Sequence, residues 1–343
     1  MDAKRHYEAL FDAAAGVHAF AAQTNEELQD WQQRFRPELR RLLGLGQLER
    51  ELAGYQPQAA LISSTALDGY VREEWQLQIE PTLALPFYLL RPLPASGPRP
   101  LILIPHGHNH PHLYVGLYED EKERQHILDG DRGIAVQAVK EGYLAIAPTT
   151  RGFGATRTAE DIENDRLSSC RTQLMHGLLV GRTPVGERVW DMSRLLDWAL
   201  SNLDVDAHRI AITGNSGGGT VSLFAAACET RITVALPGSY FNTFAGSIGA
   251  LFHCDCNYVP GILQLGEMYD VAGLIAPRPF CAIAGAKDPI FPIAHARFAY
   301  DRLRRVYEVA GNPDACRLYV GDGGHRYYKN GAWPFIREMF KPM

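Results

Sequence analysis

The pentapeptide Gly214-Asn215-Ser216-Gly217-Gly218 lies between an apolar run, residues 209–213, and a stretch of small and apolar residues, 219–227. A strand, a sharp turn at a serine and a helix in this order are the pattern of a nucleophile elbow. The strand and the helix cross so closely that only small residues fit beside the serine, and glycines occupy positions 214 and 218. The sequence therefore predicts that the Ser216 hydroxyl projects into the open from a strained turn.

The composition is that of a globular protein with one large core and an accessory element. The chain has 343 residues, 46% of them hydrophobic, and 34 basic against 39 acidic residues give a net charge of −5. Apart from Arg40-Arg41 and Arg304-Arg305 the basic residues do not cluster, so we expect no nucleic-acid partner. No apolar run approaches the ~18 residues of a membrane span. The N-terminal residues lack a clean apolar segment, so we expect no export signal and a cytoplasmic location.

The six cysteines are scattered, and several lie in apparent strands or helices. They are Cys170, Cys228, Cys254, Cys256, Cys281 and Cys316. This usage predicts reduced cysteines, mostly in the core. Cys254 and Cys256 beside His253 lack the C-x₂-C spacing and the four ligands usual for structural zinc. The alternating His106, His108, His110 and His112 follow a strand, where turn and pocket-wall roles are commoner than metal binding. We therefore predict no metal site and no cofactor.

The chain divides into a helical extension, residues 1–60, and a catalytic domain, residues 61–343. Thr24 to Glu27 form a capping box for a helix in the extension, which Pro37 is expected to kink or restart. The segments 71–79 and 83–90 alternate like antiparallel edge strands. Short apolar strands separated by helical stretches follow, as in a parallel sheet with right-handed crossovers. We predict an α/β fold with a mostly parallel sheet of about eight strands and helices on both faces.

A serine nucleophile needs a histidine to accept its proton and a carboxylate to orient that histidine. Asp288 follows the strand 280–285, and His325 lies in a glycine-rich loop after the strand 317–320. The order serine, aspartate, histidine is that of the α/β-hydrolases. Two other aspartates, Asp270 and Asp322, compete for the acid role. His253 and His295 compete for the role of base.

The negatively charged oxygen of a tetrahedral intermediate needs two backbone donors. We predict that the N–H groups of Gly217 and His108 form this oxyanion hole, the second from the loop that follows the strand 101–104. Four further residues are predicted to contact the substrate: His106, Asn109, Tyr240 and His253. Arg151 is assigned a structural role, bound to carbonyl groups or to an acid such as Asp191.

With these residues in place, the chain resembles the α/β-hydrolase superfamily over residues 65–343. Within it the chain is similar to the acetyl xylan esterase and cephalosporin C deacetylase type, which is related to dienelactone hydrolases and to the catalytic domains of prolyl oligopeptidases. The matching stretches are Pro105-His106-Gly107, Arg151-Gly152-Phe153-Gly154, the pentapeptide 214–218, Ala276-Pro277-Arg278-Pro279, Lys287-Asp288 and Gly324-His325. The resemblance implies Ser216 as nucleophile, Asp288 as acid and His325 as base. The asparagine of the elbow and the loop 109–112 have no role that can be transferred.

These observations predict a serine carboxylesterase that hydrolyses short-chain esters, acetyl esters above all, of a small or carbohydrate alcohol. A peptidase related to prolyl oligopeptidase is the first alternative, although the first 60 residues cannot form a propeller. A non-catalytic binding protein with a hydrolase fold is the second. The sequence leaves open the alcohol, the acyl group and the oligomeric state, for which a homo-oligomer is one possibility.

Overall fold

A single mixed sheet organises the chain in the computed structural model, which describes residues 2–14, 16–94 and 97–341. The strands are β1 Gln58–Leu67, β2 Tyr70–Glu80, β3 Leu83–Pro92, β4 Arg99–Leu103, β5 Leu144–Pro148, β6 Val205–Asn215, β7 Val234–Gly238, β8 Phe280–Gly285 and β9 Cys316–Gly321. The helices are α1 Ala3–Ala13, α2 Asn25–Leu43, α3 Leu45–Glu51, α4 Glu121–Asp129, α5 Ile134–Lys140, α6 Ala159–Glu163, α7 Cys170–Leu179, α8 Pro184–Asn202, α9 Gly217–Cys228, α10 Ile262–Leu265, α11 Met268–Gly273, α12 Ile293–Val309 and α13 Lys329–Met339.

The strand order in the sheet is β1-β2-β3-β5-β4-β6-β7-β8-β9. The strands from β5 to β9 pair in parallel, and β1 to β3 add antiparallel pairings at one side. Both faces of the parallel part are covered by helices. Leu101 and Leu103 of β4 belong to a core that includes α2, α8 and α9, whereas Ile102 and Ile104 belong to a second core with α5 and α13. The predicted α/β-hydrolase fold is confirmed.

The prediction of about eight strands missed β1. This strand pairs with β2, but its side chains are exposed or half-buried along its whole length. Because neither face is buried, its sequence carries no alternation of apolar and polar residues. The predicted boundary at residue 60 also falls inside this strand.

The long N-terminal helix α2 packs into the main core. Thr24 caps it by accepting a hydrogen bond from the Glu27 N–H at 3.2 Å, as the sequence predicts. The helix continues through Pro37 and does not restart there. Its buried Phe35 and Leu39 join the same apolar core as strands β2 to β4. The helical extension is therefore packed against the catalytic domain.

The loops at the carboxyl ends of the parallel strands hold the polar and glycine-rich motifs. In open α/β sheets, ligands bind at this edge. One of these connections, between β5 and α8, is anchored by Arg151, which is buried and pairs with Asp191 and Glu80. The structural role predicted for Arg151 and its pairing with Asp191 are confirmed. None of the helices in the described ranges is long and apolar enough to cross a bilayer.

Candidate active site

Ser216 occupies the sharp turn between β6 and α9. Its backbone has φ 59° and ψ −119°, a conformation that residues with a side chain rarely adopt. The turn is held by the Ser216 N–H, which donates to the Gly238 carbonyl at 2.8 Å. A Cβ at Gly214 or Gly218 would lie 2.3 or 2.1 Å from the Pro105 carbonyl oxygen. Glycine is therefore required at both positions, as the elbow pattern predicts.

Asp288 and His325 meet at the ends of β8 and β9. The Oδ2 of Asp288 lies 2.8 Å from His325 Nδ1, and its Oδ1 accepts hydrogen bonds from the N–H groups of Ile290 and Phe291, both at 3.0 Å. The Asp288 side chain is 1% exposed and that of His325 is 23% exposed. A buried carboxylate with three hydrogen bonds thus contacts a histidine whose ring is partly exposed.

The competing residues occupy other environments. Asp270 accepts hydrogen bonds from the backbone N–H groups of Phe20 and Glu267, and the second of these bonds is part of the N-terminal cap of α11. Burial raises the pKa of Asp270 to about 6. Asp322 is exposed on the loop before His325. The ring of His295 packs against Gly246, away from the cleft that contains Ser216. In the described structure, Asp288 is the aspartate that contacts His325.

A cleft of about 420 Å³ brings most of the predicted residues together. Its lining consists of His108, Asn109, Arg132, Asn215, Ser216, Gly217, Phe252, His253, Cys254, Asn257, Ile290, Phe291 and His325. The predicted base, the predicted nucleophile and both predicted oxyanion residues therefore face one space. The predicted contact residues Asn109 and His253 line it as well. The volume is within the range of small-molecule sites.

His106 was predicted to contact the substrate, and this prediction is wrong. The residue is 1% exposed and lies outside the lining of the cleft. Its Nδ1 donates to the Gly107 carbonyl at 2.7 Å, and its Nε2 accepts from the Thr150 N–H at 2.8 Å. Burial lowers the pKa of His106 to about 3, so the ring is neutral. His106 joins the loop after β4 to the loop after β5.

Tyr240 is also buried, and its predicted contact with the substrate is likewise wrong. The side chain is 1% exposed, and its ring packs on Phe291 with centroids 5.4 Å apart. A Cβ at Gly219 would lie 2.9 Å from the Tyr240 Cβ, which places the tyrosine beneath the first turn of α9. The close packing of this helix on the sheet keeps the ring out of the cleft.

The loop after β4 lies directly against the elbow. A Cβ at Gly107 would lie 2.6 Å from the Asn215 carbonyl and 3.2 Å from the Gly217 nitrogen. A Cβ at Gly217 would lie 3.3 Å from the His108 ring. The Gly217 N–H is in the first turn of α9, where backbone amides have no acceptor within the helix and the helix dipole is positive. The geometry thus brings the two predicted oxyanion residues to the same end of a helix.

Several residues of the cleft were not predicted from the sequence, Arg132 and Phe252 among them. Arg132 lines it, and burial lowers the pKa of its guanidinium. Phe252 stands at the rim with 94% of its surface exposed. Both lie in connections between regular elements, where no periodicity indicates which side chains face inward.

A cluster of cysteines and a histidine beside the cleft was also not predicted from the sequence. His108, Cys170, Cys254 and Cys256 place one nitrogen and three sulfur atoms within 4.8 Å of one another. Contacts with the Cys170 and Cys254 thiols, and then the charge of Arg188, lower the pKa of Cys256 well below its ordinary value. Cys254 and Cys256 are neighbours in the sequence, but no sequence pattern places Cys170, 84 positions before Cys254, beside them.

Comparisons with known proteins agree with this fold. A model of the abhydrolase family matches residues 8–234, a range that contains Ser216 but ends before Asp288 and His325. A Bacillus subtilis (strain 168) protein named as the hydrolase YtaP is 25% identical over 249 residues, which are 70% of this chain and 77% of that protein. An Escherichia coli (strain K12) protein named as a carboxymethylenebutenolidase is 30% identical over 264 residues, 75% of this chain and 82% of that protein.

A solved structure shows the same fold at low identity. It is that of a Bacteroides fragilis protein named as an acetyl xylan esterase, with a TM-score of 0.75 and 19% identity, and the alignment covers 97% of this chain and 84% of that one. The resemblance predicted from the motifs is confirmed.

The burial of His106 should make the unfolding free energy of the protein decrease at acidic pH. Because the pKa of this ring is about 3 in the folded chain and about 6.5 when unfolded, the unfolded state binds more protons below pH 6.5. Lowering the pH from 7.5 to 5.5 should thus remove about 1.4 kcal/mol of unfolding free energy through this residue. Urea titrations of the wild type and His106→Gln at both pH values measure it: the loss should be smaller in the variant by that amount. The exposed His110→Gln is the control and should lose as much as the wild type, and an equal loss in all three proteins would contradict the assignment.

Proposed function

The chain belongs to the abhydrolase family, and we propose that it is a serine esterase in which Ser216, His325 and Asp288 form the catalytic triad. The observation that carries this proposal is the Asp288–His325 hydrogen bond of 2.8 Å, on a histidine that shares one cleft with a serine at a strained strand-to-helix turn. A carboxylate, a histidine and a serine in this arrangement can transfer an acyl group.

In the acylation step, the Ser216 Oγ attacks the carbonyl carbon of the ester while His325 Nε2 accepts the hydroxyl proton. Asp288 keeps the other ring nitrogen protonated through the bond to Nδ1 and stabilises the imidazolium that forms. The two backbone N–H groups that Asp288 already binds hold its carboxylate in place. The imidazolium then gives its proton to the leaving alcohol oxygen, and the Ser216 ester remains.

The carbonyl oxygen becomes an anion during this attack, and the N–H groups of Gly217 and His108 are its proposed donors. Removing one such donor from related sites typically costs ~3 kcal/mol of transition-state stabilisation. Water then attacks the Ser216 ester with His325 as the base, which releases the acid and restores the enzyme.

We propose further that the acyl group is short, with acetyl preferred, and that the alcohol is polar. Polar side chains line much of the cleft, Asn109, Arg132, His253 and Asn257 among them. Such groups can bind a hydroxylated alcohol, whereas a long acyl chain would leave them without hydrogen bonds. The relative named as an acetyl xylan esterase is consistent with a carbohydrate ester, and the one named as a carboxymethylenebutenolidase with a small one.

Ser216 is expected to be the nucleophile. Ser216→Ala should lower kcat for p-nitrophenyl acetate by several orders of magnitude, on the order of 10⁶ where a triad acts as a unit. Peptide mass spectrometry after treatment with a fluorophosphonate should place the adduct on Ser216. Ser222 and Ser239 are the matched controls, because the hydroxyl of each donates to a backbone carbonyl. An adduct on either of them, or an active Ser216→Ala enzyme, would refute the assignment.

Asp288 is expected to orient His325. Asp288→Asn should reduce kcat by up to ~10⁴, because the amide favours the wrong tautomer of the ring. The exposed Asp322→Asn is the control in the adjacent loop and should keep the wild-type rate. Circular dichroism of both variants checks that the fold is unchanged. The acid has been placed wrongly if Asp288→Asn is active and Asp322→Asn is not.

The chain-length preference is tested by kcat/KM for p-nitrophenyl acetate, butyrate, octanoate and laurate, with an acetylated sugar and a dipeptide amide alongside. Each methylene that finds no apolar wall forgoes ~0.8 kcal/mol of binding. We expect the highest value for acetate and turnover of the sugar ester. A rise toward laurate without turnover of the sugar would overturn the substrate proposal, and cleavage of the amide alone would indicate a peptidase.

A further inference from the structure

Three separate connections contribute side chains to one compact cluster beside the cleft. His108 follows β4, Cys170 is the first residue of α7, and Cys254 and Cys256 lie in the connection after β7. The Nε2 of His108 lies 3.3 Å from the Cys256 sulfur and 3.9 Å from that of Cys170. Cys170 and Cys256 are each 1% exposed. The cluster is called the Cys3His cluster below.

The spacing of these atoms matches the ligand shell of a tetrahedral zinc ion. Bonds of about 2.3 Å to sulfur and about 2.0 to 2.1 Å to nitrogen put neighbouring ligand atoms roughly 3.5 to 3.8 Å apart. All four atoms lie within 4.8 Å of one another, and the two nitrogen to sulfur distances bracket the tetrahedral value. We propose that His108, Cys170, Cys254 and Cys256 bind one Zn²⁺ ion.

A buried charge beside the cluster supports this proposal independently. Arg188 is 3% exposed, and among the described residues it forms no ion pair with a carboxylate. Its Nη2 lies 3.5 Å from the Cys170 sulfur and donates to the Arg151 carbonyl at 3.0 Å. A buried guanidinium needs a negative partner. Three thiolates and Zn²⁺ carry a net charge of −1, which Arg188 neutralises.

The orientation of His108 fits the role of a ligand. Its Nε2 faces the sulfur atoms, while its Nδ1 lies on the side of Gly217. Phe153 packs edge-on against the ring with centroids 5.2 Å apart, which restricts its rotation. Cys170 occupies the N-terminal position of the ten-residue helix α7, where the helix dipole favours a thiolate.

Four protein ligands close the coordination shell, so the ion would have a structural role and would activate no water. It would fix the connections after β4, β5 and β7 to one another, and residues of the first and the third of these line the cleft. The backbone of His108 also supplies a proposed oxyanion donor, so the ion would hold that donor against the elbow. This last role rests on the proposed function, whereas metal binding does not.

The direct test is the metal content of the protein, purified without a histidine tag and with its thiols reduced. Mass spectrometry of the metals should find about one zinc per chain, falling to below about a tenth in Cys170→Ala and in Cys256→Ala. Cys281→Ala is the matched control, because Cys281 is equally buried but lies in β8, outside the cluster. This variant should keep its zinc.

A second measurement needs no variant of the cluster. Zinc is removed from the wild type with a chelator and replaced by Co²⁺, which should give the visible absorption of a tetrahedral site and the near-ultraviolet bands of thiolate ligands. Ser216→Ala should keep full zinc and the same spectrum without activity, so a failure of the proposed triad is distinguishable from a failure of the metal site. The proposal is overturned if the reduced wild type contains no zinc and takes up no Co²⁺, or if both cluster variants keep a full equivalent.

Discussion

The contact between the Pro105 carbonyl and the two glycines of the elbow is the constraint on which the site depends. Positions 214 and 218 are so close to this oxygen that no Cβ fits at either of them. Glycine at both positions permits this close approach, and Ser216 makes the turn between them at a positive φ. It also presses the loop 105–108 against the first turn of α9, which brings Gly107 and the His108 ring beside Gly217. The close packing of the elbow against the loop after β4 therefore holds Ser216 in its strained backbone conformation.

The sequence was sufficient to predict the parts of the site that have local signatures. Ser216, Asp288 and His325 each follow a recognisable strand, and their order in the chain matches the fold. The predictions that failed depend on the direction in which a side chain points, or on contacts between residues that are far apart in the chain. His106 and Tyr240 turn inward because of packing between loops, which no local pattern reports. Cys170 and Cys256 are far apart in the chain and come together only when it folds. The strand β1 is too exposed to show a strand pattern in its sequence.

Buried polar groups connect the cleft wall to the sheet. Arg151 pairs with Asp191 on α8 and with Glu80 at the end of β2, and its carbonyl accepts from Arg188. Arg188 in turn lies against the Cys170 sulfur. A chain of hydrogen bonds and ion pairs therefore leads from the core to the Cys3His cluster. This network ties the connection that carries Arg151 and Cys170 to α8 and to the end of β2.

The central claim is that Ser216 carries the acyl group during turnover. Acid quenching of the enzyme within its first turnovers of p-nitrophenyl acetate, followed by peptide mass spectrometry, tests this claim most directly. We expect one added acetyl group on the peptide that contains Ser216, and its disappearance once the substrate is exhausted. Turnover with no acetylated peptide at any quench time, or with the acetyl group on another residue, would show that Ser216 does not carry the acyl group.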